Sequence, residues 1–140
     1  MESLSLTEIK EGGKHWVLDA KKAEYLKDRD EIRIQGIYLE FYGPDQEIVT
    51  LRAREGLVHT KTRDLTIKGE VELTRGDLTI RTEVVRYLPQ ERALVAPEEV
   101  VLEGPRTKVA GKDLRIDLTN KRLILKHHHK TEVKLKKGLM

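Results

Sequence analysis

Three consecutive histidines, His127, His128 and His129, are the side chains of this sequence best suited to metal chemistry. Imidazole nitrogens bind transition metals, and a protein site supplies three or four such ligands. Successive side chains of a β-strand point to opposite faces, so only His127 and His129 could share one ion. The sequence has no cysteine, and no carboxylate at a fixed spacing completes the set. The pattern favours a solvated polar strand, and we predict neither a metal site nor a cofactor.

Catalytic groups are equally hard to assemble from this sequence. Ser3 and Ser5 are the only serines and lie at the start of the chain, which argues against a Ser–His–acid triad. Acidic residues such as Glu70 and Glu72 alternate along a predicted strand, as on a solvated face. No glycine-rich loop precedes a helical pattern, so a phosphate-binding loop is not indicated. We predict that the protein is not an enzyme.

The composition narrows the class of partner. The 27 basic and 24 acidic residues are interspersed and leave a net charge of +3. This charge does not by itself require a partner with a phosphate backbone, such as a nucleic acid. Aromatic residues make up only 4% of the chain, which argues against the stacking platforms of single-stranded nucleic-acid binders. We therefore expect no nucleic acid as a partner. The length of 140 residues predicts one domain, residues 1–140, with a substantial core.

Alternating apolar and polar residues divide the chain into short predicted β-strands. In residues 21–42 the alternation continues on both sides of a polar turn, and Gly36 marks a corner. An offset of 33 carries Gly36 onto Gly69, and an offset of 29 carries Arg63 onto Arg92. Four such units at a period of about thirty residues predict an all-β fold, a twisted, open-ended antiparallel jellyroll built from repeated hairpins. An ordinary β-sandwich with coincidental spacing is the alternative.

The first and last strands of such a stack would have unpaired backbone groups. Free edges of this kind dock another strand, or aggregate unless they are protected. In the opening hairpin, Leu4, Leu6 and, after a slip, Ile9 alternate along the first strand. The lysine-rich C-terminal segment is typical of a protected edge. We expect partners, including a second copy of the chain, to bind edge residues Leu6, Ile9, Trp16, Leu18, Leu123, Leu125 and Val133.

Several short stretches recur in an order and spacing that carry a family resemblance. They are residues 6–9, 16–20, 23–25, 39–42, 51–56, 64–69, 78–83, 100–105 and 111–114. Together they resemble the LptC family, the periplasmic component of the lipopolysaccharide export machinery, over residues 4–126. The opening Trp16-x-Leu18-x-Ala20 is the most specific part, because sister proteins such as LptA share only the generic hairpin repeat.

The resemblance implies a periplasmic, boat-shaped jellyroll whose aliphatic groove holds the acyl chains of lipid A. It implies attachment to the inner membrane by one N-terminal helix, between the LptBFG transporter and the LptA bridge. No apolar run in this sequence is long enough for that helix. We expect that the helix was left out of this sequence, and an unanchored relative is the alternative. The N-terminal strands would then meet LptBFG, and the C-terminal strands LptA.

The resemblance and the alternation together predict which residues line the groove. We assume that the better alternating set of each strand points inward. That set is Leu39, Phe41, Leu51, Ile67, Leu73, Ile80, Tyr87, Leu102, Ile116 and Leu125. A sealed core with no ligand is the alternative for all ten residues.

The predicted function is therefore lipopolysaccharide transport, with acceptance from LptBFG and delivery to LptA. One alternative is a scaffold, or an LptA-like bridge, that links its partners by strand pairing and holds no lipid. A carbohydrate- or protein-binding β-module is a second alternative. It would concentrate aromatic side chains on one face, whereas Trp16, Tyr25, Tyr38, Tyr42 and Tyr87 are scattered.

Overall fold

In the computed structural model of the protein, the described residues form one open sheet of nine antiparallel β-strands. The structure describes residues 3–10, 13–43, 47–120 and 122–133, with only the backbone of Lys10. The strand order in the sheet is the order in the sequence, β1 to β9. The strands are β1 (Leu4–Lys10), β2 (Gly13–Leu26), β3 (Glu31–Tyr42), β4 (Ile48–His59), β5 (Leu65–Arg75), β6 (Leu78–Leu88), β7 (Ala93–Glu103), β8 (Thr107–Asp117) and β9 (Leu123–Val133). The all-β, open, antiparallel prediction is confirmed.

The strands bend near their middles, because the register between neighbours is interrupted there. The pairing of β4 with β5 shifts between Arg52 and Glu55, and β5–β6, β6–β7 and β7–β8 shift at corresponding places. Gly36 and Gly69 have φ angles of 64° and 90°, in the left-handed region that glycine adopts without strain. Such irregularities bend a strand and increase its twist. The two predicted glycine corners are therefore confirmed as bends within β3 and β5.

The bent sheet folds over itself into two layers. We call layer one the strand segments 4–9, 13–20, 37–42, 48–53, 71–75, 78–82, 99–103, 107–112 and 127–133. Layer two comprises segments 22–26, 31–35, 55–59, 65–68, 84–88, 93–96, 113–117 and 123–126. The rings of Phe41 in β3 and Tyr87 in β6 lie 5.1 Å apart between centroids. Because these strands are three places apart in the sheet, about 14 Å, that contact requires the layers to face each other.

The predicted repeat appears in the backbone of the turns as well. Asp30, Arg63 and Arg92 lie near the ends of the turns that precede β3, β5 and β7, and all have positive φ angles, of 52°, 69° and 49°. These positions are related by the predicted offsets of 33 and 29. A positive φ is uncommon for residues other than glycine, so three occurrences at the repeat spacing confirm the repeated hairpin unit.

The prediction of a slip before Ile9 was wrong. Glu8 continues the inward alternation of β1 and is 4% exposed, whereas Ile9 points outward and is 67% exposed. The irregularity lies in β2 instead. Glu8 pairs with Trp16 and Ile9 with Lys14, so His15 is the extra residue. A bulge in the partner strand leaves the pleat of β1 intact, and the carboxylate of Glu8 is therefore buried.

Candidate functional site

The inward side chains align in two apolar rows that run across the sheet, perpendicular to the strands. In layer one, residues paired in register from β1 to β8 are Leu6, Leu18, Leu39, Leu51, Leu73, Ile80, Leu102 and Val109. In layer two, the row from β2 to β9 is Tyr25, Ile32, Val58, Leu65, Tyr87, Leu94, Ile116 and Leu123. With strands about 4.8 Å apart, each row spans about 34 Å. The apolar interior is therefore continuous along the stack.

The ten residues predicted to line a groove all face this interior. Nine of them are at most 6% exposed, and Leu125 is half-buried. Leu39, Phe41, Leu51, Leu73, Ile80 and Leu102 lie in layer one, and Ile67, Tyr87, Ile116 and Leu125 lie in layer two. The structure thus brings the set together as closely packed side chains. That these residues bind lipid stays a prediction.

The apolar interior reaches solvent at both ends of the stack. Leu4, Leu6 and Ile32 at the β1–β2 end are only half-buried, although they pack against the core. Among the residues that the structure describes, β1 pairs only with residues 13–20, so the layer-two half of β2 has no second partner strand there, and its Tyr25 is 57% exposed. At the opposite end the half-buried residues that pack against the core are Val109, Leu123 and Leu125.

Arg92 ties the two layers together beside the aromatic pair. Its Nη1 donates a hydrogen bond to the hydroxyl of Tyr87 at 2.8 Å, and its Nη2 donates to the carbonyl oxygen of Tyr42 at 2.7 Å. The backbone N–H of Leu118 donates to the Arg92 carbonyl at 2.9 Å. Burial raises the pKa of Tyr87 above its usual value, so the phenol is neutral at physiological pH and accepts the arginine hydrogen bond without charge.

Glu8 is a second connection between the layers, and pattern analysis missed it. Its Oε2 lies 3.7 Å from Nη1 of Arg63, in the turn between β4 and β5, and its Oε1 lies 3.8 Å from Nδ1 of His15. Neither oxygen accepts a hydrogen bond from the described residues, and the buried Nε1 of Trp16 beside it donates none. A carboxylate buried with so few partners is costly, because desolvation is only partly offset by distant cations. The sequence feature that could have revealed the burial of Glu8 is its inward-facing position in the alternation of β1.

Replacement of Glu8 by leucine is expected to raise the free energy of unfolding by about 1 to 3 kcal/mol, because a well-packed apolar side chain avoids the desolvation of the carboxylate. Urea denaturation at neutral pH measures this change. Arg63→Met is the matched variant and should lower stability, since it leaves the buried carboxylate without its arginine. A loss of stability in Glu8→Leu similar to that in Arg63→Met would show that the ion pair is net stabilising instead.

The predicted edge residues divide into three groups. Leu6, Leu123 and Leu125 are half-buried in the outermost strands, and Ile9 and Val133 are 67% and 64% exposed. Trp16 and Leu18, by contrast, are buried in the part of β2 that is paired on both sides. From Lys126 to Val133 every residue of β9 is exposed. Within the described part of the chain, β1 and β9 are the outermost strands of the sheet, so each has one edge without a partner strand. Partner binding at either edge stays a prediction.

Comparison with known families adds to this geometry. The family described as lipopolysaccharide-assembly, LptC-related, matches residues 1–134. The chain belongs to the LptC family. A comparison with curated proteins found no match. Membership in the LptC family assigns the chain a role in lipopolysaccharide transport, with the lipopolysaccharide-transport machinery as its partners in general. The family is a periplasmic, inner-membrane-associated transport component and is not known for enzymatic activity.

The three histidines of this LptC chain lie on β9 and contact different side chains. The Nε2 atom of His127 lies 3.2 Å from Oδ2 of Asp113, and that of His129 lies 3.2 Å from Oε1 of Glu99. A register shift between β8 and β9 makes His129 the extra residue, so the strict alternation assumed from the sequence is broken there. Within the part of the chain that the structure describes, no three His, Asp or Glu residues are grouped to hold a metal ion. The described part of the chain also contains no helix that is long and apolar enough to cross a membrane.

Proposed function

We propose that this LptC chain binds lipopolysaccharide with the acyl chains between its two layers. In this proposal the chain receives the lipid from LptBFG at the β1–β2 end and passes it to LptA at the β8–β9 end. The single observation that carries the proposal is the pair of apolar rows from β1 to β9, half-exposed at both ends. Contact of acyl chains with such a surface removes apolar area from water, worth about 25 cal/mol per Å².

The closely packed interior determines how lipid would enter. Because nine of the ten predicted lining residues are at most 6% exposed, acyl chains must replace contacts between the layers. That exchange substitutes one apolar contact for another. Its free-energy cost therefore comes mainly from breaking the polar contacts that connect the two layers. Arg92 and the Glu8–Arg63 pair are two such connections. The half-buried residues at the two ends are the places where the layers can begin to separate.

The free edges supply the contacts with neighbours in this proposal. β1 and β9 each present one edge on which a further strand can add by backbone hydrogen bonding. An added strand would extend the layer-one row at β1 and the layer-two row at β9 into the partner, because register carries inward residues onto inward residues. In this arrangement the domain lies in the periplasm at the inner membrane. A second copy of the chain could use the same edges and would compete with the partners.

A strand-pairing scaffold that holds no lipid is the second candidate. It is favoured by β9, which is exposed from Lys126 to Val133 and therefore suited to pairing without any contribution from the interior. Both candidates predict that disruption of β9 abolishes partner binding. They differ in whether lipopolysaccharide touches the inward side chains.

Photocrosslinking to lipopolysaccharide at inward and outward positions of the same strands separates the two candidates. A photoreactive side chain at Leu6 or Leu125 would face the interior at its half-buried ends, whereas probes at Thr7 and Lys130 on the same strands face outward from layer one. We expect at least tenfold more crosslinking at the two inward positions, since the inward and outward probes lie on opposite faces of the sheet. Equal crosslinking on the two faces, or none at Leu6 and Leu125 in a folded protein, would reject the interior path and favour the scaffold.

A further inference from the structure

The outward faces of the two layers differ in charge. On layer one the central rows contain four bases and five acids, which are Arg52, Arg81, Lys108, Lys130, Asp19, Glu40, Glu72, Glu103 and Glu132. On layer two the corresponding rows contain five bases and two acids, which are Lys22, Arg33, Lys68, Arg86, Arg115, Glu24 and Glu55. The outward face of layer two is therefore basic, whereas that of layer one is nearly balanced.

The bases of layer two are also poorly neutralised by the protein itself. Arg33 lies 3.6 Å from Oε1 of Glu24, and Arg115 lies 3.1 Å from Oε1 of Glu91 in the turn before β7. The remaining three, Lys22, Lys68 and Arg86, are exposed and form no ion pair with any described residue. On layer one, Arg81 alone contacts two acids, Glu72 and Glu103. On layer one, Arg52 and Lys108 also form no ion pair with any described residue, so the surplus of five bases over two acids is what distinguishes the outward face of layer two.

Aliphatic side chains separate the arginines of layer two. One register row from β3 to β9 reads Arg33, Leu57, Thr66, Arg86, Val95, Arg115 and Ile124. Six inter-strand steps make this row about 29 Å wide, far wider than one phosphate group. Leu57 and Val95 are half-buried and Ile124 is 44% exposed. A partner that matches the row must offer many separate anions with apolar material beside them.

We propose that the outward face of layer two docks on an anionic phospholipid bilayer. Guanidinium groups bind phosphate oxygens in a bidentate manner, and each base near an anionic bilayer adds electrostatic attraction. The aliphatic side chains of the row lie at the depth where headgroups meet acyl chains. A depression lined by Arg29, Arg33 and Lys68, with Gln35 and Glu55, offers several donors to one headgroup phosphate. The inference does not depend on lipid in the interior.

Vesicle sedimentation with two matched triple variants tests the proposal. The first variant carries Lys22→Gln, Lys68→Gln and Arg86→Gln on layer two, and the control carries Arg52→Gln, Lys108→Gln and Lys130→Gln on layer one. Both lose three positive charges, and circular dichroism checks that both are folded. With vesicles of mixed phosphatidylglycerol and phosphatidylcholine, we expect the layer-two variant to bind more than tenfold more weakly than the unmodified chain, and the control to bind within about twofold. Binding should vanish on pure phosphatidylcholine and near 1 M salt, where the Debye length is about 3 Å.

Three outcomes would overturn the proposal. The first is absence of binding to the anionic vesicles, and the second is equal weakening in the two triple variants, which would indicate net charge alone. The third is an affinity for a DNA duplex as high as the affinity for the vesicles, since the basic face would then bind any soluble polyanion and would not require a bilayer. As an independent readout, a polarity-sensitive dye on Thr66→Cys should respond to vesicles and one on Thr74→Cys should not, because these β5 residues face outward from different layers.

Discussion

Replacement of Phe41 by alanine is expected to lower the free energy of unfolding by about 3 to 5 kcal/mol. The side chain is 0% exposed, and its ring is 5.1 Å from that of Tyr87 in the opposite layer. Alanine would remove the ring's apolar contacts and leave a cavity between the layers. The surrounding residues of the two layers can fill that cavity only in part. Urea denaturation followed by far-ultraviolet circular dichroism measures the change.

Two control variants make this prediction specific to the packed interior. Phe41→Leu retains most of the volume and should cost about 1 to 1.5 kcal/mol. Tyr25→Ala removes an aromatic ring that is 57% exposed, and should change stability by no more than about 0.5 kcal/mol. A loss below about 1 kcal/mol in Phe41→Ala would indicate that the two layers are not in close contact at this position.

Replacement of Gly111 by alanine is expected to separate β9 from β8. A Cβ atom at this position would lie 2.5 Å from the carbonyl oxygen of His127 and 2.6 Å from Cδ2 of Leu125. Both atoms belong to β9, so the strand must move away to relieve the overlap. We expect a loss of about 2 to 3 kcal/mol in the free energy of unfolding. Hydrogen exchange of the β9 amides should accelerate more than that of the β4 and β5 amides.

Gly104→Ala is the matched control for Gly111. Its Cβ would meet nothing closer than the carbonyl oxygen of Thr107 at 3.9 Å, an ordinary contact. This variant should unfold within about 0.5 kcal/mol of the original chain and leave exchange in β9 unchanged. If Gly111→Ala behaved like Gly104→Ala, the close approach of β9 to β8 at this residue would be contradicted. Because β9 is an outermost strand of the sheet, loss of its pairing should also remove binding to a partner at its edge.

The hairpin repeat could be predicted from the sequence because alternation and turn residues are local signals. Gly36 and Gly69 stand out as glycines within apolar alternation, and both prove to be bends with positive φ. The bulge at His15 gave no such signal, since no glycine accompanies it. A bulge in one strand changes which residues its neighbour pairs with, and for that reason the position of Ile9 was predicted wrongly.

The candidate site could be predicted in part for a related reason. Alternation identifies the face of each residue, and the ten predicted lining residues accordingly face the interior. It does not give the register between strands, which depends on bulges in every strand crossed. The two continuous apolar rows and the basic outward row were therefore not visible, because their members are scattered along the sequence. Glu8 was missed because a carboxylate is rarely expected at an inward position.

The distance between the two layers tests the central claim most directly. The chain has no cysteine, so one molecule can have a nitroxide label at Thr50→Cys on layer one and a second label at Val95→Cys on layer two. Double electron–electron resonance should show this distance increase by about 4 Å, one carbon–carbon contact, when lipopolysaccharide is added. A pair within layer one, Thr50→Cys with Lys108→Cys, is four inter-strand steps or about 19 Å apart and should remain unchanged. Binding of lipopolysaccharide with no change between Thr50 and Val95 would contradict an interior path for the acyl chains.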